Sequence, residues 1–195
     1  MSWRVVLLLL LAFPAAADER VSVCFNYGCY SQALVVYSEP QLAEVRLLLG
    51  AAREPGEERA AIATAIGHLL GWAGEQTPIG ADRGGNYADD GVYGKMDCID
   101  HAKTTTRLLR LIEGRGWLRH HRVVEPALRR RFFVFDHYAA QIETSGASES
   151  DEASDSNDGE PERYLVDSWF FDNGQPAAIM PLAGWMAGES PHDSE

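Results

Sequence analysis

The sequence predicts an α+β fold in which helices come first and a small antiparallel sheet follows. Apolar residues recur at helical spacing in three segments up to about residue 113. Beyond that point the segments become short and rich in β-branched and aromatic residues, which favours strands. Of the 195 residues, 17 form a predicted leader, and the remaining 178 suffice for one domain with its own core.

The predicted leader has the three parts of a secretory signal peptide. Arg4 provides a basic start, Val5 to Phe13 form an apolar run, and Ala15 to Ala17 provide small residues for cleavage. The apolar run is far shorter than the roughly 20 residues that span a bilayer, so we expect no stable membrane insertion. The sequence thus predicts signal peptide 1–17 and a single periplasmic or secreted domain, 18–195.

Three helices are predicted before the sheet. Segments 40–53 and 57–72 carry apolar stripes and flank a short Pro-Gly connector, which indicates a helical hairpin. Residues 73–95 are rich in Gly, Asp and Asn and are typical of a long loop. A third helix is expected over 97–113, with Cys98 in its first turn.

Three strands are predicted after the helices, near 121–124, 132–142 and 164–171. Between the last two lies an acidic insert, residues 145–162, which has little to bury and repels itself. We expect it to form a disordered hairpin tip. A calcium-binding loop is the alternative, but the acidic spacing does not follow the usual alternating ligand pattern.

The net charge of −12 is concentrated in that insert. Seven acidic residues and no basic ones lie between Ser145 and Glu162, which leaves −5 for the rest of the chain. An acidic chain without a basic and aromatic surface repels phosphate, so nucleic-acid binding is not expected.

The three cysteines divide into a close pair and a single residue. Cys24 and Cys29 have a spacing that can close a small disulfide loop in an oxidising compartment. Cys98 is left over, and an exported free thiol is either buried and inert or kept for its reactivity. Its place at a helix start favours reactivity, because the helix dipole stabilises a thiolate there.

Two later residues have the chemistry that a cysteine nucleophile needs. His137 is predicted on a strand and fits the role of general base, then acid. Asp167 is flanked by apolar residues on the next strand, where a carboxylate needs a specific partner. If these strands pair, Asp167 can orient the His137 ring toward the helix start.

The order of these segments resembles the transglutaminase-like cysteine enzymes of the papain-like superfamily, including the bacterial transglutaminase-like cysteine proteinases. The similar segments are the helix start 94–102, the strand 116–124, the histidine strand 137–142 and the aspartate strand 166–169. The resemblance implies a transglutaminase-like core and a Cys98–His137–Asp167 triad. It departs at Ala139, where the family usually has an aromatic residue, and at Ile99, where calcium-binding members have an acidic one.

The expected activity is that of an exported cysteine peptidase or amidase that acts on a peptide or protein substrate in the cell envelope. We expect a monomer without cofactor or metal. The backbone N–H of Cys98 is the expected first oxyanion donor. Tyr87, Tyr93 and Asn86 in the preceding loop are candidates for the second. If an amine replaces water as the acceptor of the acyl group, the activity is that of a transglutaminase.

Two alternatives use the same residues differently. The domain can be a catalytically silent peptide-binding module of the same fold. It can also be a zinc-binding protein whose ligands are drawn from one cysteine and four histidines, Cys98, His101, His120, His121 and His137, although their spacing matches no common zinc signature.

The polar neighbours of Cys98 have simpler structural roles. Asp97 and Asp100 are expected as a helix cap and its first-turn partner, with charges that oppose a thiolate at Cys98. His101, on the same helix, is expected to be structural.

Overall fold

The fold is mixed α+β, with four α-helices and two small antiparallel sheets among the described residues. The computed structural model describes residues 18–86, 88–89, 91–131, 135–145 and 161–191. In chain order the elements are β1 Glu19–Phe25, β2 Ser31–Tyr37, α1 Glu39–Gly50, α2 Pro55–Gln76, a 3-10 turn Pro78–Ala81, α3 Cys98–Gly114, β3 His121–Arg131, β4 Phe135–Thr144, β5 Arg163–Asp167, β6 Ala178–Pro181 and α4 Leu182–Ala187.

The three predicted helices correspond to α1, α2 and α3. The second extends beyond its predicted bounds because Pro55 starts it at the first helical position and its apolar face continues to Ala73. The expectation that the helical hairpin is N-terminal is wrong, since β1 and β2 precede it. Val21, Val23 and Phe25 are buried and occupy every second position, which is the spacing expected of a strand with one face in the core.

The four-stranded sheet has the order β3-β4-β5-β6, with every neighbouring pair antiparallel. The predicted pairing of the strands on either side of the acidic insert is confirmed by the β4–β5 ladder. The insert itself lies almost wholly outside the described residues, as does the predicted signal peptide 1–17. The strand β6 was not predicted, because four residues give too short a pattern to recognise.

Helix α3 lies between the two sheets, in contact with β1 on one side and with β3, β4 and β5 on the other. The main core joins these elements to α1 and α2, with Ile66, Leu69, Leu108 and Leu109 fully buried. A smaller core on the other face of the four-stranded sheet packs Trp185 of α4 against Ala139 and Leu165. The N-terminus of α3 is thereby fixed beside the start of β4. None of the helices in the described part of the chain is long and apolar enough to span a membrane.

Candidate active site

Cys98 is the first residue of α3, and it is a partly exposed free thiol. Asp97 caps the helix by accepting hydrogen bonds from the N–H groups of Ile99 and Asp100. In return, the Asp97 N–H donates to the Asp100 carboxylate. This capping box confirms the structural role predicted for both carboxylates. The turn into the helix requires a glycine, since Gly94 has φ +106° and a Cβ there would collide with the Pro78 carbonyl.

A short loop from the N-terminal hairpin holds these two carboxylates. The backbone N–H groups of Tyr27 and Cys29 donate to the two oxygens of Asp100, at 2.8 and 2.5 Å. The Gly28 N–H donates to Asp97 at 2.8 Å. The loop can aim three successive N–H groups in this way because its residues adopt left-handed φ angles of 62 to 66°.

The predicted disulfide closes that loop, since Cys24 and Cys29 are bonded. We call residues 24–29 the disulfide cradle. The pair is typical of an oxidising, non-cytosolic compartment. It also leaves Cys98 as the free cysteine of the chain.

The cradle reduces the electrostatic conflict expected around Cys98. Burial raises the pKa of Asp100 to about 6, and the nearby charge of Asp97 adds to this, while backbone N–H groups of Asp97, Cys29 and Tyr27 lower it. The carboxylate groups of Asp97 and Asp100 are therefore held by backbone N–H donors, which compensate their negative charge.

His137 and Asp167 form the pair that the sequence predicts. The His137 Nε2 atom lies 2.7 Å from Asp167 Oδ2, and the carboxylate is buried. The β4–β5 ladder pairs Ala140 with Val166, so one further step sets Asp167 level with Ala139. His137 is thus a diagonal neighbour and not the directly opposite residue.

The ring of His137 links Asp167 to Cys98. Burial lowers the pKa of His137, but hydrogen bonds with Asp167 and with Cys98 outweigh burial and raise it to about 9. Because Nε2 faces Asp167, Nδ1 is the ring atom left for the thiol. The sulfur also lies 3.8 Å from the backbone oxygen of Asp136, the residue before His137. The three predicted catalytic residues are therefore together.

Aromatic side chains that the sequence analysis did not assign to the site surround this pair. Trp169 lies 4.8 Å from the His137 ring and Trp185 5.6 Å, measured between ring centroids. The Trp185 indole N–H donates to Asp167 Oδ2 at 3.3 Å, and the Trp169 backbone N–H donates to Oδ1 at 3.1 Å. Every oxygen of the carboxylate is used, which fixes its orientation behind the imidazole.

The proposed oxyanion donors have different surroundings. Asp97 engages the second and third N–H groups of α3, and no hydrogen bond to the Cys98 N–H is found within the described ranges. Asn86 accepts a bond from the Trp169 indole at 2.6 Å, which ties it to a residue that packs on His137. Tyr93 is largely exposed and contacts Phe25. Tyr87 lies outside the described residues. Of the two described candidates, Asn86 is the one connected to the residues around His137.

Of the residues in the zinc alternative, Cys98 and His137 lie together, whereas His101 and His121 lie in separate contacts. His121 pairs with Glu58 at 2.8 Å, and His101 lies 3.1 Å from Asp82. Over the part of the chain that the structure describes, one group of potential ligand atoms lies within 4.8 Å, and it consists of Cys24, Cys29 and Asp100. Two of these three are joined as a disulfide, so their sulfurs are not free thiolates.

A second polar network adjoins the group formed by Cys98, His137 and Asp167. His101 Nδ1 and Thr105 Oγ1 each lie 2.9 Å from the Ser168 hydroxyl, and Asp82 accepts the Met96 N–H at 2.6 Å. Burial raises the pKa of Asp82, although His101 opposes the rise. These groups join α3 to the loop before it and to the end of β5. This confirms the structural role expected for His101. The sequence around Asp82, in the Gly-rich loop, does not indicate that His101 is its partner.

When the chain is compared with protein-family models, with curated proteins and with solved structures, none of the three comparisons gives a match. The assignment of a function therefore depends on the geometry of the site.

Proposed function

We propose that the protein is a cysteine-nucleophile enzyme that acts on peptide or amide bonds through Cys98, His137 and Asp167. More specifically, we propose a transglutaminase-like hydrolase with a papain-like core. The observation that supports this best is the placement of a free, partly exposed thiol at a helix N-terminus beside a histidine held by a buried carboxylate.

The charge of His137 suggests how the reaction begins. A pKa of about 9 leaves this histidine protonated at neutral pH. A positive ring beside the sulfur favours the nucleophilic form of a cysteine, so we propose that the reacting form is a thiolate–imidazolium pair. The proton has then already passed from sulfur to the ring, and His137 can donate it to the leaving group.

The proposed cycle has two halves. The Cys98 sulfur attacks the carbonyl carbon, the oxygen becomes an anion near the Cys98 N–H, and the C–N bond breaks as His137 protonates the leaving amine. Water then attacks the thioester, with His137 taking its proton, and the acid and thiolate are released. Asp167 holds the ring in one orientation throughout. Water is the proposed acceptor, and an amine acceptor would give transamidation.

The place of action that we propose is the cell envelope or the exterior. The Cys24–Cys29 disulfide supports an oxidising compartment, and the leader-like segment 1–17 agrees with export. In that setting the substrate is a peptide or protein of the same compartment, and we propose no cofactor.

The test is iodoacetamide labelling of the folded protein as a function of pH. Because Cys98 is the free cysteine, adduct mass reports on that residue alone. We expect labelling at neutral pH to be about tenfold slower in His137→Ala, because the positive ring is lost. His68→Ala removes a histidine paired with Glu44, and serves as the matched control with little expected change. If Cys98 labels slowly with the pH profile of an ordinary thiol and does not respond to His137→Ala, the proposal is wrong.

A further inference from the structure

A pocket of about 400 Å³ opens between α3 and the β3–β4 hairpin. One wall comes from the first two turns of the helix, and the other from the two strands. Its lining residues are Ile99, Ala102, Lys103, Glu125, Pro126 and Tyr138. The volume falls within the range of ligand-binding cavities in proteins, about 300 to 1,000 Å³.

A bulge in β3 shapes the strand wall. The β3–β4 pairing shifts between Val124 and Ala127, so Glu125 and Pro126 do not follow the regular ladder. Pro126 has no N–H to donate, which suits it to this interruption. Bulges redirect side chains and are frequent beside active sites. Here the bulge sets Pro126 against the pocket in place of a regular ladder residue.

The pocket adjoins the candidate catalytic residues on both elements. Ile99 directly follows Cys98 on α3, and Tyr138 directly follows His137 on β4. Successive strand residues face opposite sides of a sheet, so Tyr138 lies on the face toward α3 while His137 faces Asp167. The pocket thus lies one residue along α3 from Cys98 and one residue along β4 from His137, on the α3 side of the sheet.

The chemistry of the lining selects an apolar occupant. The Ile99, Ala102 and Pro126 side chains are purely apolar, and the Tyr138 ring adds a half-buried aromatic surface. Both charged residues are exposed and of opposite sign, Lys103 on the helix and Glu125 on the strand, where Glu125 lies 3.8 Å from Arg110. A charged side chain would lose water here and meet one repelling group, whereas an apolar one gains burial.

We propose that this pocket is the specificity site of the enzyme and binds an uncharged apolar side chain of the peptide substrate, next to the scissile bond. The inference rests on the proposed function and adds the substrate class to it. The volume accommodates a leucine or phenylalanine side chain.

The first test uses peptidyl acyloxymethyl ketones that carry Gly, Leu, Phe, Asp or Lys beside the reactive carbonyl and, in a second set, one position further away. Each alkylates Cys98, so second-order labelling rates can be compared directly. We expect Leu or Phe to exceed Gly by at least about tenfold at one of the two positions, and Asp and Lys to fall below Gly.

Two variants locate that preference in the pocket. Ala102→Leu fills the space and should reduce the advantage of Leu and Phe about tenfold, while Ile99→Ala enlarges it and should shift the preference toward Phe. Ala51→Leu makes the same change at an exposed position at the end of α1 and is the matched control. Labelling by iodoacetamide, which has no side chain to bind, should change little in the Ala51→Leu control.

A binding measurement separates the pocket from the chemistry. In Cys98→Ala, methyl NMR signals of Ile99 and Ala102 should shift with N-acetyl-leucinamide and not with N-acetyl-aspartamide. Peptidyl labelling without residue preference, together with unshifted methyl signals, overturns the pocket and leaves the enzyme. Shifted signals without any peptidyl labelling support the pocket as an apolar binding site and overturn the triad. If neither peptidyl labelling nor methyl shifts are observed, both the pocket and the triad are overturned.

Discussion

Two histidine–carboxylate pairs with nearly equal nitrogen–oxygen distances have different surroundings in this protein. His137 lies 2.7 Å from Asp167, and His121 lies 2.8 Å from Glu58. Both carboxylates are buried and accept backbone N–H groups as well, those of Arg119 and His120 in the case of Glu58. The distance and the burial of the carboxylate alone do not distinguish them.

The difference lies in what touches the far side of each ring. His121 Nε2 faces the Arg59 guanidinium at 3.3 Å, and its side chain is fully enclosed. The His137 side chain keeps 12% exposure, and its remaining nitrogen is left for the Cys98 thiol. Glu58 and His121 fasten the start of β3 to α2, whereas His137 connects Asp167 to the Cys98 thiol. The two histidines are therefore distinguished by their third partner, Arg59 or Cys98, and not by their carboxylate.

The largest expected effect separates the pairs by stability. Glu58→Ala leaves His121 and two backbone N–H groups without their buried acceptor, and we expect it to lower the free energy of unfolding by about 3 to 5 kcal/mol. Urea unfolding measures this loss. Iodoacetamide labelling of Cys98 in the protein that remains folded should match the parent rate. A slowed rate there would show that the two pairs are coupled.

The next effect is a pH dependence of stability caused by His137. Its pKa is about 9 in the folded protein and ordinarily about 6.5, so the contribution is fully present below 6.5 and disappears as the pH rises through 9. It amounts to about 3 kcal/mol, given by the difference between those pKa values. Urea unfolding of the parent and of His137→Gln on both sides of this window gives the difference. Equal stability loss in the two proteins would contradict it.

Removal of the disulfide should affect the surroundings of Cys98 and the His137–Asp167 pair, and leave the His121–Glu58 pair unchanged. The double change Cys24→Ser and Cys29→Ser releases the cradle, and we expect a cost of about 2 kcal/mol for a loop this short. Amide exchange should accelerate in the first turn of α3 and remain slow near His121. Uniform acceleration in both regions would mean that the cradle stabilises the whole fold and has no particular effect on Cys98.

The smallest expected effect concerns the aromatic support of Asp167. Trp185→Phe removes one indole donor while the His137 contact and the Trp169 N–H remain, so the expected loss is about 1 kcal/mol. Trp72→Phe changes a tryptophan that packs on His68, far from the pair, and is the matched control. The pKa of His137, followed by NMR, should move in Trp185→Phe and stay constant in the control.

The sequence was most informative where periodicity was long and least informative where contacts join distant segments. The apolar stripes of α2 and α3 are continuous, and the β4–β5 pairing follows from the insert between two strands. Cys98, His137 and Asp167 could be selected because each has a residue type and a local setting that limit its role. Trp185 could not, because its contact with Asp167 depends on how α4 folds back over the sheet.

The disulfide cradle was half predictable for a related reason. The pairing of Cys24 with Cys29 follows from spacing, but their loop reaches Asp100, 71 residues further along the chain from Cys29. Nothing local in the segment indicates that its N–H groups will be used by another element. The second polar network was not predictable for the same reason, because His101 connects Asp82 and Ser168, which are far apart in the sequence.

The cradle also bears on the order in which the site is assembled. Its disulfide closes a contact across five residues, while the hydrogen bonds it makes to α3 span about seventy. Local contacts close with little loss of chain entropy and distant ones with more, so the loop can take its shape before α3 docks. The helix then meets a preformed row of N–H donors. Oxidation of the cradle can thus precede the docking of α3, which then completes the environment of Cys98.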